Sequence, residues 1–86
     1  MHYAIGEICS GKILAQYNRG QFAWKCFPMT SPWFPAFMPK KEAEKRLLEL
    51  ENYETPAHFC ILKGELLTPA LWRDFYRTQR KVRVCP

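Results

Sequence analysis

Histidine and glycine are scarce in this chain, and long apolar runs are missing. Its 86 residues hold two histidines, His2 and His58, and four isolated glycines. No glycine-rich phosphate loop and no G-x-S-x-G elbow is present, which removes the common nucleotide-binding and hydrolase signatures. No run approaches the roughly 18 apolar residues of a membrane-spanning helix, so no membrane partner is expected. The opening MHYAIGEICSGK lacks a basic head, an apolar stretch and a small-residue cleavage site. The expected compartment is therefore the cytoplasm.

The four cysteines, Cys9, Cys26, Cys60 and Cys85, form no C-x-x-C pair. Reduced thiols are the expectation, the first three packed in strands, with disulfides as the alternative. His58 and Cys60 share one face of a candidate strand. Structural zinc usually shows ligands paired closely in sequence, and no such pairing completes this set. A Cys60–His58 dyad lacks a third, orienting group. No catalytic residue, metal or cofactor is assigned, and a zinc or thiol enzyme ranks behind two other readings.

What the chain does have is hydrocarbon: 48% hydrophobic and 15% aromatic residues. That suits one compact domain over 1–86, with a thin core, because a chain this short buries only about 60–65% of its unfolded surface. The net charge of +5 is uneven. Residues 1–72 carry eight Lys/Arg and seven Asp/Glu; residues 73–86 carry Arg73, Arg77, Arg80, Lys81 and Arg83 against Asp74. The basic character is thus a local feature of the C-terminal part.

Residues 2–9, 12–17 and 21–27 read as three strands. Ser10-Gly11 and Asn18-Arg19-Gly20 form the turns, the second with Gly20 supplying a positive φ. In the third strand Phe22, Trp24 and Cys26 alternate with Gln21, Ala23 and Lys25. Next comes FPMTSPWFPAFMP, residues 27–39, with four prolines, four large rings and no charge. Proline at this density excludes a helix interior or a central strand. Ser31-Pro32 can start a helical turn, or residues 33–38 can run along a sheet edge. Either way the segment crosses an edge or end of the sheet.

Pro39 opens a helix over about 39–53, with Ala43, Leu47 and Leu50 inward, Leu48 widening the stripe and Glu42–Arg46 paired at i, i+4. Thr55-Pro56 ends it. Residues 57–62 form a fourth strand, Lys63-Gly64 a turn or bulge, and residues 65–67 a strand continuation. Thr68-Pro69 caps a second helix to Gln79, and residues 81–85 alternate like a short last strand. The expected fold is α+β: a small antiparallel sheet, a three-stranded meander plus a fourth strand, with two helices packed on one face.

Two surfaces compete for function. Trp33, Phe34 and Phe37 are the candidate partner-binding rings. Aromatics and Met are enriched at interface cores, and proline reduces the entropy lost on binding. Their ordinary role would be to cap the sheet. Arg73, Arg77 and Arg80 form a ridge extended by Lys81 and Arg83, with Tyr76 alongside to stack on a base. This suits phosphate or an acidic surface; its ordinary role is a solvated helix face. The leading expectation is a small non-enzymatic protein-interaction module that binds a protein partner or a second copy of itself. From its length and style, the expectation extends to an accessory or inhibitor protein of the kind phages and mobile elements encode. Nucleic-acid binding through the basic helix is the alternative.

Overall fold

The computed structural model describes residues 2–18, 20–51 and 59–82. Among these residues five strands and two α-helices follow one another: β1 Tyr3–Glu7, β2 Lys12–Tyr17, β3 Gln21–Cys26, β4 Phe34–Pro35, α1 Lys40–Glu51, β5 Phe59–Lys63 and α2 Pro69–Val82. The sheet is antiparallel, ordered β3-β2-β1-β5, with β4 also paired to β2. The expected α+β fold, with its meander and additional strand, is present.

The helices do not share a face. Ala4 and Ile5 are adjacent and both fully buried, and they belong to different clusters. Ile5, Leu14 and Phe59 pack with Ala43 of α1; Ala4 and Ile13 pack with Trp72 of α2. Successive strand residues point to opposite faces, so the sheet is a middle layer between the helices. The expectation of one covered face fails because β1 and β5, reading AIG and FCIL, are apolar at consecutive positions. That is the pattern of strands covered on both sides.

Trp72 lies against β1, and glycine permits it. A Cβ on Gly6 would come within 2.5 Å of the Trp72 ring. The indole Nε1–H donates to the Gly11 carbonyl at 2.8 Å. Gly11 has φ +73° and closes the β1–β2 turn, its N–H donating to the Glu7 carbonyl. In the β2–β3 turn the positive φ falls on Asn18, at 46°, and not on Gly20.

Of the two courses the sequence allowed the proline segment, it takes the extended one, but inserted into the sheet and not along its edge. β1 and β2 pair only at Gly6–Ile13 and Glu7–Lys12, then diverge. Into this fork the segment inserts. Phe34 and Pro35 pair with Gln16 and Ala15, and the Ala36 N–H donates to the Leu14 carbonyl. The chain reverses at Ala36, where the Phe37 N–H donates to the Pro35 carbonyl. Met38 and Tyr3 then exchange both backbone hydrogen bonds. Pro35 is tolerated because the position opposite Ala15 is a non-hydrogen-bonded one, so its missing N–H takes nothing from β2. Upstream, Ser31–Pro32 starts no helical turn. Trp33 N–H closes a turn on the Thr30 carbonyl, with the Ser31–Pro32 peptide cis, as is Phe27–Pro28.

Three smaller expectations change. Residues 64–66 form a 3-10 turn in place of a strand continuation. α2 runs on to Val82, so the alternating residues at 81 and 82 are helical; the rest of that stretch lies outside the described residues. Cys9 is disulfide-bonded and sits in the β1–β2 turn, whereas Cys26 and Cys60 remain thiols.

Candidate interaction surfaces

The candidate rings Trp33, Phe34 and Phe37 do not form one patch. Trp33 is half-buried, with its ring 5.5 Å from that of Tyr17 and the Lys25 ammonium 4.7 Å above it. Phe37 is 42% exposed and lies beside His2, with its ring against Gly64. Phe34 is 43% exposed and stands directly opposite Gln16, which on its other side stands opposite Phe22. Cross-strand partners share a face, so Phe34, Gln16 and Phe22 form a row across β4, β2 and β3 on the α1 side. Phe22 is also 43% exposed. It was not singled out beforehand, and its alternation with Trp24 was the available signal.

α1 borders this row. Ala43 is buried, Leu47 and Leu50 are half-buried, and Leu48 points to solvent without widening the stripe. Arg46 lies over the Phe22 ring, 4.7 Å from its centroid. Its Nε is buried and has no hydrogen-bond partner among the described residues. A buried unpaired donor costs about 1–3 kcal/mol, more when charged. A cleft of about 260 Å³, lined by Leu14, Trp24, Arg46, Glu49 and Leu50, opens beside the row.

α2 carries three stripes. Trp72 and Tyr76 face inward; Leu71, Phe75, Thr78 and Val82, at i, i+4, i+7 and i+11, flank them on one side; Arg73, Arg77 and Arg80 flank them on the other. The expected apolar wedge is thereby split, since Leu71 is 52% and Phe75 40% exposed. The basic ridge is reduced too. Arg80 donates from Nε to the Ile8 carbonyl at 3.2 Å, donates from its terminal nitrogen to the Cys9 carbonyl, and stacks over Tyr76. Tyr76 is half-buried against Gly11 and Trp72, so it is no free base-stacking platform. Arg73, Arg77 and Lys81 remain exposed. Arg83 and His58 lie outside the described residues. Cys60 donates its thiol hydrogen to the Gly6 carbonyl at 3.8 Å.

No protein family, no curated protein and no solved structure matches this chain.

Proposed function

We propose that the chain is a small non-enzymatic protein-interaction module, an accessory or inhibitor that docks a partner protein on the α1 side through Phe34, Phe22 and Arg46. What supports this reading is the buried Arg46 Nε, unpaired among the described residues, over the half-exposed Phe22 ring, with half-exposed Phe34 in the same cross-strand row. Aromatic and arginine side chains dominate binding hot spots, and a partner's carbonyl or carboxylate would satisfy the donor. Backbone hydrogen bonds to Leu14 and Tyr3 hold the ring-bearing segment in place beforehand, which lowers the ordering cost of binding. Trp33 and Phe37 keep supporting places in the segment; the contact row moves to Phe34 and Phe22.

The test is a pull-down from the native host, run with and without nuclease, using the parent chain and a Phe34→Ala/Arg46→Ala variant. The account expects a protein that survives nuclease and is lost with the variant. Recovery that disappears with nuclease would instead favour nucleic acid and the exposed Arg73, Arg77 and Lys81. Recovery indifferent to both changes would remove the proposed surface.

A further inference from the structure

The far edge of the sheet carries a second, separate surface. Beyond β5, no described strand continues the sheet. Between this edge and α2 lies an apolar groove of about 420 Å³, lined by Ile61, Leu62, Leu67, Leu71, Trp72 and Phe75, with Lys63 at its rim.

We infer that this edge is the seat of a second copy of the chain, paired β5 to β5 about a two-fold axis at Ile61. The backbone sets the parity. The Gly64 N–H donates to the His2 carbonyl at 2.8 Å, continuing the β1–β5 ladder. In an antiparallel pair hydrogen-bonded positions alternate, so Leu62 and Cys60 turn their backbone groups toward β1. Phe59, Ile61 and Lys63 then turn theirs outward. Centred on Ile61, this set matches itself: Ile61 meets its counterpart, and Phe59 meets Lys63 of the other copy. No like charges stand opposite one another.

The helices fit the same operation. An antiparallel edge pairing places both α2 helices on one side of the joined sheet. α2 rests over β1, so the two helices stand about three strand spacings apart, or about 14 Å. Closely packed helices lie 8–10 Å apart, so the wider gap takes large side chains. Leu71 and Phe75 project into it from both copies. The charge pattern agrees. The stripe facing the axis, Leu71, Phe75, Thr78 and Val82, is uncharged, and the arginines occupy the opposite flank. Two chains of net charge +5 can approach on this side without bringing their arginines together. A standard interface needs about 800 Å² per partner, roughly a seventh of the 5842 Å² surface, which is one flank of a molecule this size. The dimer leaves Phe34 free on each copy, so the module would present its partner site twice, with the gain in avidity that two linked sites allow.

The experiment is sedimentation velocity on the full chain from micromolar to millimolar concentration, with engineered cross-linking. The expected mass is about 20 kDa, twice the 10.2 kDa of one chain. Leu71→Glu, at an exposed helix position, should return the monomer mass with unchanged circular dichroism. In a Cys26→Ser background, Ile61→Cys should link to its counterpart on mild oxidation, because hydrogen-bonded partners stand about 5.5 Å apart at Cα. Lys63→Cys should not self-link, and neither should the background alone. A monomer at every concentration overturns the inference. So does a dimer that ignores Leu71→Glu and leaves Ile61→Cys unlinked. Neither result touches the Phe34 surface, whose failure reads out separately in the pull-down.

Discussion

At the scale of single residues, close approach to backbone organises the α2 side. Gly6 and Gly11 lie against the rings of Trp72 and Tyr76, and Arg80 covers the carbonyls of Ile8 and Cys9. Gly6→Ala should destabilise by about 1–3 kcal/mol, because the added methyl overpacks against an indole held by its own hydrogen bond. Urea unfolding measures this. Arg80→Ala should cost about 1–2 kcal/mol for the lost charge-assisted bonds, and Arg80→Lys should recover little, lacking the planar fork and the stack on Tyr76. Sequence spacing placed Arg80 on the flank of its helix. What stood across from that flank, a turn distant in the chain, is a tertiary fact that helical periodicity does not carry. The thiols separate in the same way. Peptide-resolved alkylation should label exposed Cys26 quickly and Cys60 slowly, since the latter is half-buried and bonded to Gly6.

Among the elements, those with local signals were legible. α2 begins where Thr68-Pro69 indicates, with the Thr68 Oγ1 accepting the Leu71 N–H at 3.2 Å. Thr68→Ala should cost about 1 kcal/mol, read as a lowered unfolding midpoint with the slope unchanged. α1 likewise follows its Ala43, Leu47 and Leu50 stripe. β4 was not legible. Two residues have no periodicity, and their pairing depends on β1 and β2 diverging, which neither strand announces. The opposite-face placement of the helices was readable in principle. Ala4-Ile5 and Phe59-Cys60-Ile61-Leu62 do not alternate, and a strand without alternation needs cover on both faces. The candidate site divides along the same line. Phe34 was visible as an aromatic between prolines. Phe22 and Arg46 join it only through register and helix packing.

For the molecule as a whole, the three layers separate its surfaces: the Phe34 row on the α1 side, the apolar groove at the β5 edge, and the remaining cations of α2 on the flank away from that groove. The cation count makes the nucleic-acid alternative quantitative. With Arg80 committed internally, Arg73, Arg77 and Lys81 would neutralise about three phosphates, so duplex affinity should follow salt with a log–log slope near −2.7. A mobility-shift series at low salt tests for it, and the account expects no such binding. The disulfide at Cys9 bears on compartment, since disulfides persist mainly in oxidising surroundings. It departs from the expectation of a reduced thiol at Cys9. No helix among the described residues is long and apolar enough to cross a membrane.

The central claim is that Phe34, in one row with Phe22 and the Arg46 that covers Phe22, contacts a protein. The most direct measurement places a photo-crosslinking phenylalanine at position 34 in the native host, with the same group at exposed Lys41 as control. The account predicts a discrete protein adduct from position 34 that weakens strongly when Arg46→Ala is added, and none from position 41. An adduct digested by nuclease, or equal labelling from both positions, would contradict it.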